Sequence, residues 1–81
     1  MTRVTLYGKA GCHLCEDARN EIEAVRREHE FNLTEIDVST DPVLHRRYGD
    51  RIPVVEVNGE EVSELGIDRL ALMRLLDTVD S

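Results

Sequence analysis

Arg3-Val4-Thr5-Leu6-Tyr7-Gly8-Lys9-Ala10-Gly11-Cys12-His13-Leu14-Cys15 changes its periodicity once, and that change decides the fold. From Arg3 to Tyr7 polar and apolar residues alternate, with Val4 and Leu6 on one face, which predicts a β-strand. Gly8-Lys9-Ala10-Gly11 breaks the strand. From Cys12 onward Cys15, Ala18, Ile22 and Val25 recur at three- and four-residue steps, while Glu16, Asp17, Arg19, Glu21, Glu23, Arg26 and Arg27 fill the other faces. The spacing predicts an amphipathic helix over about Cys12–His29, with acids early and arginines late, as the helix dipole favours.

Beyond it, a second strand is expected over about Leu33–Val38. Ser39-Thr40-Asp41-Pro42 then offers capping side chains and a proline suited to a first helical position. The short helix that follows is expected to turn Val43, Leu44 and Tyr48 inward and to stop at Gly49. Ile52-Pro53-Val54-Val55-Glu56-Val57 reads as a third strand. Asn58-Gly59 is a strong hairpin signal, and Glu60 to Leu65 returns as a fourth strand. A closing helix over about Ile67–Val79 repeats Leu72, Leu75, Leu76 and Val79, with Leu70 and Met73 nearby. Two strands joined by a helical crossover pair in parallel, and a tight hairpin forces antiparallel pairing. The expectation is an α/β fold of order βαβ-α-ββα, a mixed four-stranded sheet packed by three helices.

The chain has 81 residues, 41% hydrophobic and 33% charged, which at about 100–200 residues per domain predicts one small domain over residues 1–81. Seventeen acidic residues against ten basic ones make attraction to nucleic acid or anionic lipid improbable. No segment is apolar for long enough to span a bilayer, and the alternating start does not resemble a secretory leader. A cytoplasmic monomer without nucleic-acid or membrane partners is expected.

Cys12 and Cys15 are three positions apart, so a bridge between them closes a tiny loop and restrains the unfolded chain little. In a reducing compartment such a pair is better explained by chemistry than by stability. The first turn of a helix has unpartnered N–H groups and the positive dipole end, and a thiolate placed there is stabilised against its thiol. Cys12 gains most, and Cys15, one turn later on nearly the same side, is more shielded. Cys12 is therefore expected to attack and Cys15 to resolve the mixed disulfide. Lys9, the only lysine, adds positive potential three residues before Cys12, as does His13 when protonated. Half of a zinc site and a pair of inert core cysteines are the other readings of the pair. Zinc needs two more ligands, and His29 and His45 fall in different predicted helices; no metal site is expected.

Pro53 is out of place in a central strand because it cannot donate to the ladder. Its presence suggests that this backbone edge serves something else, with a cis Ile52–Pro53 bond bringing the backbone of residue 52 toward an incoming disulfide-bearing chain. An ordinary trans proline ending a loop is the other reading.

Cys12-His13-Leu14-Cys15 after a first strand, Ile52-Pro53 further on and an asparagine–glycine hairpin together resemble the thioredoxin fold. Tyr7-Gly8-Lys9 before the cysteines and the lack of tryptophan there make the chain similar to glutaredoxins. It is most similar to the small bacterial glutaredoxin-like group with Cys-x-Leu-Cys and a Tyr-Gly-x-x-Ile-Pro-Val segment, here Tyr48 to Val54. The resemblance spans about Arg3 to Val79. It implies Cys12 as nucleophile, Cys15 as resolving thiol, Pro53 as the cis-proline, Lys9 toward a glutathione carboxylate, and the Ile52 backbone toward a bound peptide or glutathione. Two departures bear on glutathione. His13-Leu14 stands where glutaredoxins commonly have Pro-Tyr, and Glu64-Leu65-Gly66-Ile67-Asp68 replaces their Gly-Gly-x-Asp stretch. Gly66 and Asp68 either stand in for it partially or cap the last helix.

The activity this implies is thiol–disulfide oxidoreduction on disulfide-containing or glutathionylated proteins. Electrons would come from glutathione, another low-molecular-weight thiol or a flavin-dependent reductase. No cofactor is required, since the thiols carry the two electrons. An iron–sulfur or metal-binding module built on Cys12, and a non-catalytic thioredoxin-fold adaptor, are the alternative readings.

Overall fold

The first strand, β1 (Arg3–Gly8), is the spine of the sheet, because both of its faces are covered. The computed structural model describes residues 2–80, apart from the side chains of residues 79 and 80. Val79, expected on the apolar stripe of the last helix, therefore lies outside the described side chains. The strand order is β2-β1-β3-β4, with β2 at Asn32–Asp37, β3 at Val54–Val57 and β4 at Glu60–Ser63. β1 pairs in parallel with β2, Val4 opposite Leu33, and antiparallel with β3, Tyr7 opposite Val54. β3 and β4 are antiparallel, with a register shift between Val55 and Glu56. This is the expected mixed sheet, and three α-helices pack on it.

Helix α1 (His13–Arg26) makes the crossover and buries Cys15, Ala18, Ile22 and Val25, the predicted stripe. It ends three residues before the expected His29. After Val25 the run Arg26-Arg27-Glu28 has nothing apolar to bury, and the amides of Glu28 and His29 both turn back to the Val25 carbonyl. That turn returns Phe31 to the core.

A 3₁₀ turn at Val38–Thr40, absent from the sequence reading, follows β2. Asp37 nucleates it by accepting from both the amide (2.8 Å) and the hydroxyl (2.6 Å) of Ser39. Helix α2 (Pro42–Tyr48) is capped by Asp41, whose carboxylate accepts from Val43 N–H at 2.9 Å. Val43 does not turn inward as expected; it is 67% exposed. Leu44 and Tyr48 stand four residues apart on the buried face, and Val43 is rotated away from it by one helical step.

Pairing in β3 begins at Val54 rather than Ile52, since Pro53 has no N–H to contribute. The Ile52–Pro53 peptide bond is cis. Asn58 (φ 52°) and Gly59 (φ 87°) form the predicted two-residue turn, in which both central residues need positive φ. β4 stops at Ser63, short of the expected Leu65, because Leu65 adopts φ 59° and leaves the strand direction. Helix α3 (Arg69–Asp80) starts two residues after Ile67. Asp68 caps it, accepting from Ala71 N–H at 3.0 Å, while Ile67 packs on the core ahead of the cap.

The two faces of the sheet are covered unequally. Under α1 and α3 lie Val4, Leu6, Ala18, Ile22, Val25, Phe31, Val55, Val57, Leu72 and Leu76. On the α2 face the buried cluster is only Val38, Tyr48 and Val54, with Tyr7, Leu44 and Ile52 against it. Among the described residues no helix is long and apolar enough to cross a membrane.

Candidate active site

The loop from Lys9 to Gly11 carries the chain from the end of β1 to the head of α1. Gly11, at φ 76°, makes the last turn. Cys12 is the N-cap of α1, with extended backbone, and its Sγ accepts from the Cys15 N–H at 3.2 Å. A sulfur thus occupies the place usually taken by a serine or aspartate oxygen, in front of amides with no intrahelical partner. Cys12 and Cys15 are joined as a disulfide, with Cα atoms 5.2 Å apart. The two sulfur-bearing residues differ in access. Cys12 is half-buried at the rim, whereas Cys15 is 7% exposed and faces inward with Ala18 and Ile22.

Gly8 explains how Cys15 fits. A Cβ at this position would stand 3.0 Å from Cys15 Sγ and 3.1 Å from its Cβ, so the disulfide rests directly on bare β1 backbone. Sequence reading treated Gly8 only as a strand breaker. Its place at the last position of β1, just before the cysteine loop, is the signal that points to close packing.

The predicted site residues fall on two flanks of the cysteine pair. On the β3 side, Ile52 is half-buried against the α2-face cluster and the Pro53 side chain is fully buried. The turn after β4 is tied to this segment at three points. Leu65 N–H donates to the Arg51 carbonyl at 2.8 Å, Gly66 N–H to the Pro53 carbonyl at 3.4 Å, and the Arg51 guanidinium holds Glu61 (2.9 Å) and Glu64 (3.0 Å). Those two carboxylates raise the Arg51 pKa further above its ordinary value, keeping it cationic. Ile52, Pro53 and Gly66 are therefore together at one end of the sheet, beside Gly8. Asp68, two residues beyond Gly66, caps α3 through one carboxylate oxygen, which accepts from Ala71 N–H at 3.0 Å. The Arg51 tie was missed because it joins β4 to a loop ten residues earlier, with no local pattern.

Lys9 is on the opposite flank. With Gly8, Cys15, Glu16, Arg19 and Asp37 it lines a cavity of about 330 Å³ between α1 and β2. Arg19 there pairs with Glu35 at 3.4 Å, and hydrogen bonds from the Ser39 hydroxyl and amide hold the Asp37 carboxyl below its usual pKa. Lys9 and His13 are exposed.

A mixed four-stranded sheet, a cysteine pair heading its first crossover helix and a cis-proline entering β3 define a glutaredoxin-like protein of the thioredoxin fold. The family model described as Glutaredoxin-like domain (DUF836) matches residues 3–78, and the chain belongs to that family. It is similar to an uncharacterized protein of Mycobacterium tuberculosis, 32% identical over 71 residues that cover 82% of this chain and 73% of the relative. The solution structure of protein Ne2328 from Nitrosomonas europaea superposes with a TM-score of 0.83 at 27% identity, covering 93% of this chain and 91% of that one. A thioredoxin variant from Halobacterium salinarum shares the fold, with a TM-score of 0.68 at 23% identity over 95% of this chain and 73% of that chain.

Proposed function

We propose that this protein is a thiol–disulfide oxidoreductase in which Cys12 is the nucleophile and Cys15 the resolving thiol. The observation that carries the reading is the Cys12 sulfur acting as N-cap of α1, 3.2 Å from the Cys15 amide. That amide and the helix dipole stabilise a thiolate more than a thiol.

In the reduced enzyme the Cys12 thiolate attacks one sulfur of a substrate disulfide, and the other substrate sulfur leaves as a thiolate. Cys15, deprotonated, then attacks Cys12 Sγ. The second substrate thiolate is released and the Cys12–Cys15 disulfide forms; two electrons have moved from the enzyme to the substrate. When a reductant thiolate later opens the enzyme disulfide, it attacks the accessible Cys12 Sγ and Cys15 leaves as thiolate. A second reductant thiolate then attacks the reductant sulfur of that mixed disulfide, freeing Cys12 and forming the oxidised reductant. Substrates of this reading are disulfide-bonded or glutathionylated proteins in the cytoplasm. The reductant is glutathione, another small thiol or a flavin-dependent reductase. Ile52 offers backbone to the substrate chain and Lys9 a positive charge to a substrate or thiol carboxylate.

The test is exchange of the pre-reduced protein with a glutathione mixed disulfide and with a protein disulfide, followed by mass spectrometry. Cys12→Ser is expected to abolish exchange with both, and Cys15→Ser to accumulate a mixed disulfide on Cys12. Undiminished exchange in Cys12→Ser rejects the assignment.

A further inference from the structure

Among the described residues four large apolar side chains are well exposed, and three of them, Leu14, Val43 and Leu70, sit on helices with ordinary backbone. The fourth does not. Leu65 is 60% exposed and held at φ 59°, a left-handed conformation that a leucine adopts only under constraint. Among the described residues the other non-glycine at positive φ is Asn58, a residue type that tolerates it. Leu65 belongs to neither core cluster. Its backbone role, donating to the Arg51 carbonyl, is one that glycine would perform without strain. The leucine side chain therefore costs the fold twice, in backbone strain and in apolar surface left in water, and adds to neither buried core cluster. Strain of this kind points to function when the surroundings enforce it. Here they do, because the residues on both sides of Leu65 are pinned: Glu64 by the Arg51 guanidinium and Gly66 by the Pro53 carbonyl.

We propose that Leu65 is a specificity-determining residue, which contacts an apolar side chain beside the reacting cysteine of a protein disulfide substrate. The inference rests on the oxidoreductase reading and deepens it by naming a substrate class. Three observations favour an extended apolar peptide over an acidic partner. Arg51 pairs with both Glu61 and Glu64, so its single charge leaves one net negative charge near Leu65. The Ile52 backbone, adjacent in space through the Pro53–Gly66 contact, makes no backbone hydrogen bond among the described residues and lies outside the β3 ladder. The tie to residues 51–53 also fixes Leu65 before any partner arrives, so little ordering is needed on binding.

The experiment uses two synthetic peptides, identical except for leucine or serine beside a single cysteine that carries 5-thio-2-nitrobenzoate as a mixed disulfide. Attack by the Cys12 thiolate on the peptide sulfur releases the coloured thiolate, and Cys15 then frees the peptide thiol, so one turnover of pre-reduced protein needs no added reductant. The wild type is expected to react roughly 5–10-fold faster with the leucine peptide, the range set by partial burial of one aliphatic side chain. In Leu65→Gly and Leu65→Asn that ratio should fall to near one, while the thermal midpoint stays at or above the wild-type value. A wild-type ratio near one, or a ratio unchanged in both variants, overturns the proposal. A lowered midpoint in both variants also overturns it, since Leu65 would then serve the fold. Absence of reaction with either peptide in the wild type instead rejects the oxidoreductase reading beneath it.

Discussion

The two faces of the sheet solve one problem with different chemistry. Under α1 and α3 the strands meet an aliphatic layer in which Ile22, Leu72 and Leu76 are fully buried. Under α2 the cover is thin, and a polar device completes it. Tyr7 and Tyr48 stack with ring centroids 4.1 Å apart, and their hydroxyls donate to the two oxygens of the same carboxylate, Glu56, at 3.2 and 3.1 Å. Arg47 and Arg51 lie over the Tyr48 ring at 5.3 and 5.4 Å. The division follows the site. The aliphatic face carries α1 and hence both sulfurs, whereas the tyrosine face carries Ile52 and the approach to Pro53. A seven-residue helix brings only Leu44 and Tyr48 to the sheet, so directional bonds supply what volume does not.

The contrast is open to direct attack. Ile22→Ala on the aliphatic face should lower unfolding free energy by about 2–5 kcal/mol, the range for emptying a buried aliphatic position. Glu56→Ala should cost less, about 1–3 kcal/mol, by stripping two tyrosine hydroxyls of their acceptor. Urea titrations of both variants compare the faces directly, and equal losses would erase the difference drawn between them.

The polar face should also fail at high pH, where the aliphatic one does not. Burial first, then the hydrogen bond with Tyr48 and the charge of Glu56, push the Tyr7 phenol up from 10.0 to about 12. The folded value lies above the unfolded one, so the stabilisation is complete below about pH 10 and disappears as pH rises toward 12. Thermal midpoints measured from pH 9 to 12 should fall in that window, and Tyr7→Phe should flatten the fall. The smallest effect is expected from Arg51→Ala, because its ion pairs are exposed and screened by solvent. Its signature should be local: faster amide exchange at Leu65 and Gly66, with the protection of Ile22 unchanged.

Much of the fold was legible because its signals are local. The alternation of Arg3–Tyr7, the stripe from Cys15 to Val25 and the Asn58-Gly59 turn each sit within one element, and each is where expected. So is the cysteine pair at the head of a helix. What escaped depends on partners distant in sequence or on backbone angles. Glu56 meets Tyr7 across 49 positions, and nothing near either residue announces it. Leu65 gives no cue to positive φ, because leucine is not a residue that turn rules select. Val43 was misplaced because a helix of seven residues shows too little of its period to separate neighbouring faces.

The central place of β1 has a consequence for how the chain is made. Its parallel partner, β2, arrives after one helix, but its other edge stays open until residues 54–57 reach it. During synthesis, Val4 to Tyr7 therefore wait with one edge unpaired, a template for association with other nascent chains. Sequence changes that slow the late hairpin should reduce the yield of folded protein before they alter its stability once folded.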